Sequence, residues 1–119
     1  MVQTIGLYLL ALGVAVQTGT SRLTILFFTA PWCAPCRAVA PILDNTVKNN
    51  KEKVSLVSID FDIMRNEAER WDVKEIPVVI VLRDGGVLLR VDGADPPALN
   101  ALRRGLENLL KPARKGRKS

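Results

Sequence analysis

Apolar runs and the polar stretches between them divide the chain into segments of different period. Leu23-Thr24-Ile25-Leu26-Phe27-Phe28 is a near-continuous apolar, β-rich run, the pattern of a central strand buried on both faces. Thr29 to Pro35 contains Pro31 and Pro35 and reads as a loop. A helix is expected to begin around Cys33 to Pro35 and to run to about Asn49, because Val39, Ile42, Leu43 and Val47 recur on one side of it. Pro41 lies inside that helix, where its missing N–H bends the axis. The polar segment Lys48 to Lys53 follows as a loop, and Val54 to Asp60 is the next strand. Asn66 is a candidate cap for a short helix through Glu67 to Trp71. Val78 to Leu82 reads as a third strand, Asp84-Gly85-Gly86 as a turn, and Val87 to Val91 as the returning strand of a hairpin. Pro96 and Pro97 open a last helix to Leu110, with Ala98, Leu99, Leu102, Leu106, Leu109 and Leu110 forming its apolar stripe.

An uncharged segment precedes the first strand. Met1 to Ser21 contains no charged side chain, and its apolar centre spans Ile5 to Val16. A secretory signal wants a positive region ahead of such a run, and none is present. A membrane span wants about 20 mostly apolar residues, and this run is shorter. It is expected to be a helix that docks on the domain, a partner or a membrane. The order helix, strand, helix, strand, helix, hairpin, helix implies an α/β fold, with a mixed sheet and helices on both faces. The expected divisions are an N-terminal helix and loop at 1–22, one domain at 23–110 and a tail at 111–119.

Composition narrows the chemistry. The 119 residues suit one domain, and a hydrophobic share of 48% is enough for its core. Lys/Arg and Asp/Glu balance over residues 1–110, so the net charge of +5 belongs to Lys111, Arg114, Lys115, Arg117 and Lys118. The tail is expected to be solvated and disordered. Weak contact with a polyanion or an anionic membrane is its alternative, and no specific nucleic-acid site is expected. The chain has no histidine. That excludes a Ser-His-Asp triad, a Cys-His dyad and a mixed Cys/His zinc site.

Only two cysteines occur, Cys33 and Cys36. A bridge closing so short a loop staples little. A CxxC is also half of a zinc ribbon, and a chance pair of core cysteines looks the same. The position after a buried strand and at the opening of a helix favours redox chemistry. There, unpaired backbone N–H groups and the positive end of the helix dipole favour a thiolate, the species that attacks disulfides. The second cysteine lies a turn further in, is expected to be more buried, and can attack the first once a mixed disulfide has formed.

Ala30-Pro31-Trp32-Cys33-Ala34-Pro35-Cys36-Arg37, with Ala40-Pro41-Ile42-Leu43 after it, resembles the active site and kinked helix of thioredoxins. Ile76-Pro77 resembles the family's cis-proline loop, Arg83 to Val87 its hairpin turn, and Asp92-Gly93-Ala94 the loop bordering its substrate groove. The resemblance covers about Leu23 to Leu110. It implies a thioredoxin fold with a mixed sheet of four to five strands, and a thiol–disulfide oxidoreductase that reduces protein disulfides. Cys33 would be the nucleophile and Cys36 the resolving thiol. Trp32, Ala34, Pro35, Ile76, Pro77 and Gly93 would face the substrate, with the backbone of Ile76 pairing with an extended client segment. No cofactor or metal is implied. The implied partners are protein disulfides and an upstream reductase, for a chain expected to be monomeric and cytoplasmic. Membrane association through residues 1–21 is the alternative location.

Two positions depart from the family pattern. An aspartate usually lies six residues before the first cysteine and assists proton transfer from the resolving thiol; Phe27 stands there. A lysine that often pairs with it aligns with Ser58. The joint loss is electrostatically consistent, since a buried lysine without its carboxylate is costly. The competing functional readings are an oxidase or isomerase, a pathway-specific or membrane-associated member, and a non-catalytic binding module. Isomerases typically carry a histidine where Pro35 stands, and the intact CxxC disfavours a purely structural role.

Overall fold

The apolar run at 23–29 forms the strand on which the rest of the fold is assembled. A computed structural model of the chain describes residues 22–112. The helix expected within residues 5–16 and the tail from residue 113 onward lie outside the described residues. In chain order the elements are β1 (Leu23–Thr29), α1 (Cys36–Asn49), β2 (Val54–Asp60), α2 (Arg65–Arg70), β3 (Val78–Arg83), β4 (Gly86–Asp92) and α3 (Pro96–Leu110). Among the described residues the sheet has four strands in the order β2-β1-β3-β4. β1 runs parallel to β2 and antiparallel to β3, and β3 and β4 form an antiparallel hairpin. The parallel pair requires a crossover, which α1 supplies.

Alternation along β1 explains why its sequence is apolar except at the half-buried Thr24 and Thr29. Leu23, Ile25 and Phe27 join Val39 and Leu43 of α1 and Leu102 and Leu106 of α3 in one core. Leu26 and Phe28 point the other way and join Ile59, Ala68, Val73, Val78 and Ile80 in a second. Successive side chains of a strand face opposite sides, so a strand covered on both faces needs no polar position. No polar or charged residue is buried among the described residues.

Local signals fix the ends of the elements. α1 runs through Pro41 as one helix. Asp84 (φ 52°) and Gly85 (φ 83°) both adopt left-handed backbone between Arg83 and Gly86, the geometry of a two-residue hairpin turn. The side chain of Asp95 accepts the Ala98 N–H at 2.9 Å and caps α3 ahead of Pro96 and Pro97. α2 differs from expectation. It starts at Arg65, with Met64 as its cap, and ends at Arg70. Asn66 therefore lies inside the first turn. The Met64 carbonyl already accepts the Glu67 and Ala68 N–H groups at 3.1 and 3.2 Å, so the helix begins upstream of the polar side chain.

The register places Phe27 directly opposite Ser58. Phe27 is 5% exposed and shares its cluster with Cys33 and Cys36, whereas Ser58 is exposed. Phe27→Asp is thus expected to cost about 3–5 kcal/mol in lost packing and buried polarity. Adding Ser58→Lys is expected to recover only about 0.5–1 kcal/mol, because a lysine at that edge keeps its water. A double-mutant cycle on thermal unfolding of the reduced protein measures both; a neutral Phe27→Asp with no coupling contradicts the packing described.

Candidate active site

The two cysteines lie where β1 hands the chain to α1. Thr29 ends the strand, the Cys33 N–H donates to the Ala30 carbonyl at 3.1 Å, and Pro35 occupies the cap position of α1. Proline offers no side-chain cap, and the first turn holds no acidic residue. The cap acceptor is instead sulfur: the Cys36 N–H donates to Cys33 Sγ at 3.2 Å. Cys33 and Cys36 form a disulfide, with their Cα atoms 5.4 Å apart. Each is 3% exposed, so Cys36 is no more buried than Cys33, contrary to the sequence expectation. Both cysteines belong to the core cluster that also contains Phe27.

The other expected site residues fall into two groups. Trp32, Ala34 and Pro35 adjoin the cysteines, and Trp32 is 62% exposed. Its indole N–H donates to the Asp62 carboxylate at 2.6 Å, which ties the loop before α1 to the loop after β2. On the far side, the Ile76–Pro77 peptide is cis. The Pro77 carbonyl accepts the Gly93 N–H at 2.8 Å, with Gly93 at φ 94°. Ile76 and Ala94 pack against the cluster that contains the cysteines. The fold therefore gathers the CxxC, the Ile76-Pro77 loop and Gly93 around one apolar cluster.

The strand, the CxxC at the mouth of a helix, the cis Ile76–Pro77 peptide and the Gly93 loop recur together in one family. The family described as Thioredoxin matches residues 13–106. The chain belongs to the thioredoxin family. It is 37% identical over 79 residues to a TPR repeat-containing thioredoxin of Oryza sativa, covering 66% of this chain and 25% of that protein. It is 35% identical over 94 residues to a thioredoxin of Mycolicibacterium smegmatis, covering 77% of this chain and 82% of that one. The crystal structure of the germline-specific thioredoxin Deadhead of Drosophila melanogaster superposes with a TM-score of 0.68 at 24% identity, over 86% of this chain and 94% of that one. The match spans a quarter of the rice protein's length, so what the whole molecule does is a separate question from family membership.

Two residues that sequence reasoning passed over, Asp62 and Arg90, support this thioredoxin site, the second together with Asp92. Asp62 holds the indole of Trp32. Arg90 and Asp92 hold the approach to Pro77. α2 ends with Asp72 in left-handed backbone (φ 55°), the Asp72 N–H on the Glu69 carbonyl at 3.0 Å and the Val73 N–H on the Ala68 carbonyl at 2.7 Å. This is a Schellman cap, with Val73 and Ala68 sharing the second core. The guanidinium of Arg90 donates to the Trp71 carbonyl at 2.6 Å and to the Asp72 carbonyl at 3.0 Å. It also makes a bidentate pair with Asp92 at 2.8 and 3.1 Å. The hydrogen bond to Asp92 raises the pKa of Arg90 further, outweighing partial burial, though a guanidinium carries its charge at neutral pH without that shift. Arg90 thus satisfies terminal carbonyls of α2 and joins them to the strand that ends one residue before Gly93. The available signal was the charged i, i+2 pair Arg90 and Asp92 on one side of β4, a pattern that also fits an ordinary solvated strand face.

Arg90→Ala is expected to lower stability by about 1–2 kcal/mol, discounted for the partial exposure of the pair. Amide exchange at residues 71–77 is expected to quicken more than exchange in α1. Uniform quickening, or none, contradicts a local clamp.

Proposed function

We propose that this chain reduces disulfides in other proteins through reversible oxidation of Cys33 and Cys36. The observation that carries the reading is the Cys33 sulfur held against the first amide of α1, within bonding distance of Cys36. In the reduced state, the Cys33 thiolate attacks one sulfur of a client disulfide. The client S–S bond breaks, its other sulfur leaves and takes a proton, and Cys33 is joined to the client. Cys36, having lost its proton, then attacks Cys33 Sγ. The mixed disulfide breaks, the second client sulfur leaves and is protonated, and the Cys33–Cys36 bond described above is formed. Two electrons and two protons pass to the client. A dithiol reductant, in practice a partner reductase, must return them before the next cycle.

Phe27 shapes the second step. The thiol of Cys36 lies in an apolar cluster without a buried carboxylate, and desolvation disfavours a charged sulfur. Its proton is best accepted by the client thiolate released in the first step, which is basic until it is protonated. Trp32, Ala34, Pro35, Ile76 and Gly93 form the face offered to the client, with the buried Pro77 beneath it, and the backbone of Ile76 adds a short strand pairing. The proposed location is the cytoplasm, whose poise keeps thiols reduced, and the proposed active unit is the single domain at 23–110.

Reduction of insulin by dithiothreitol, followed as turbidity, tests the proposal. The wild-type chain is expected to accelerate precipitation at micromolar concentration, and Cys33→Ser to abolish the acceleration. Cys36→Ser is expected to accumulate a mixed disulfide with insulin. No acceleration by the wild-type chain contradicts the proposal.

A further inference from the structure

The end of the domain away from the disulfide collects positive charge. β1 is seven residues long and runs from Arg22 at that end to the Cys33 loop, which puts about 20 Å between them. The loop between α1 and β2 folds onto the start of this strand. The Leu23 N–H donates to the Lys53 carbonyl at 2.8 Å. The Arg22 guanidinium donates to the Glu52 carbonyl at 2.8 Å, to the Val54 carbonyl at 3.3 Å and to the Ser55 hydroxyl at 2.8 Å. α3 finishes beside the same loop, since Leu110 lines one hollow with Asn49 and Asn50.

Lys48, Lys51 and Lys53 are exposed around a second hollow formed by this loop, and Arg22 and Lys111 are exposed beside it. None of the five is in an ion pair with a carboxylate of the described residues. Arg22 spends its hydrogen bonds on carbonyls and a hydroxyl, which leave its charge uncompensated. Three carboxylates are close in the chain: Glu52 in the loop, and Asp44 and Glu107 one helical turn before Lys48 and Lys111. Positive charge therefore stays in excess. Arg83 and Asp84, at the hairpin turn on the same end, offset one another. Two stretches of sequence adjoin this end. Upstream of Arg22, residues 1–21 carry no charged side chain, and the apolar run Ile5 to Val16 stops five residues short of it. Downstream of Lys111 come Arg114, Lys115, Arg117 and Lys118, with no acidic residue among them.

We propose that this end of the domain docks on an anionic membrane, where the chain is held peripherally with Cys33 and Cys36 turned to the solution. Stable attachment to a bilayer takes two signals, an apolar one that enters the interface and a polybasic one that meets anionic headgroups. Both adjoin the same end of this domain: the apolar run on one side of the lysine loop, the basic stretch on the other. The apolar run is shorter than a membrane span and long enough for the interfacial layer. Nucleic acid would use the cations alone and leave the apolar run without a partner. Docking by this end leaves the disulfide at the far end of β1, about 20 Å from the headgroups. The surface fits a cytoplasmic chain, because the cytoplasmic leaflet carries the anionic lipids.

The test sediments the full chain with vesicles of phosphatidylcholine, alone or with about 30% phosphatidylserine. In about 0.1 M salt the anionic vesicles are expected to bind at least about tenfold more tightly than the neutral ones, and about 0.5 M salt to release most of the protein. Joint replacement Lys48→Gln, Lys51→Gln and Lys53→Gln is expected to weaken anionic binding about fivefold or more, and the three Lys→Glu changes to weaken it further. These side chains are exposed, so melting is expected to stay within about 2–4 °C of wild type. Leu9→Ser with Leu10→Ser is expected to weaken binding to the same vesicles, as both signals act together. Alkylation of Cys33 by iodoacetamide in the reduced protein is expected to change by less than about twofold on vesicle binding. Equal binding to both vesicle types, unchanged binding by the lysine or the leucine variants, or shielding of Cys33 overturns the proposal. Tighter binding to a DNA duplex than to anionic vesicles at equal salt assigns the basic end to nucleic acid and overturns it too. Disulfide reduction takes no part in these readouts, so a failure of the exchange reading is seen separately, in the insulin assay.

Discussion

The hydrogen bond from the Cys36 amide to the Cys33 sulfur is the contact on which the remainder of the site depends. It exists because β1 is buried on both faces and delivers its C-terminal end to the mouth of α1. A helix start has N–H groups without helical partners, and Pro35 contributes neither a side-chain acceptor nor an N–H. Sulfur fills the role that a serine or aspartate oxygen has in most helices. The requirement is mutual: the helix end gains an acceptor, and a negatively charged sulfur gains a donor and the favourable end of the dipole.

The segments packed on the cluster that contains the cysteines come from separate elements and are tied together. Pro77 and Gly93 come from different ends of the β3-β4 hairpin and are joined by one backbone hydrogen bond. Arg90 adds a second tie, from β4 to the end of α2, so that the segment leading to Pro77 leaves a capped helix in a set direction. Trp32 is fixed from the other side by Asp62. These ties are polar, and each joins segments that lie apart in the chain. Their contribution lies in geometry more than in stability.

Much of this was legible in the residues. A near-continuous apolar run of six residues, broken only by Thr24, announces a central strand, and Cys33 to Cys36 after it announces the junction. Ile76-Pro77 and Asp92-Gly93 appeared in family order, and the hairpin turn followed from Asp84-Gly85-Gly86. Residues whose roles come from distant partners were not legible. Arg90 looks like any outward strand residue until the carbonyls of Trp71 and Asp72 are beside it. Asp62 looks like a surface carboxylate until the indole reaches it. The start of α2 was misplaced because Asn66 is a good cap by type, whereas the Asp60 turn had already begun the helix at Met64. The equal burial of the two cysteines was missed because position in a helix does not show which neighbouring segments cover the first one.

The central claim is that the strand–helix junction makes Cys33, and not Cys36, the attacking sulfur. The direct measurement is the rate of iodoacetamide alkylation as a function of pH, in reduced Cys36→Ser and Cys33→Ser variants. The junction predicts that Cys33 reacts at least about tenfold faster at neutral pH and keeps its rate to lower pH than Cys36. Equal rates, or a faster Cys36, would contradict it.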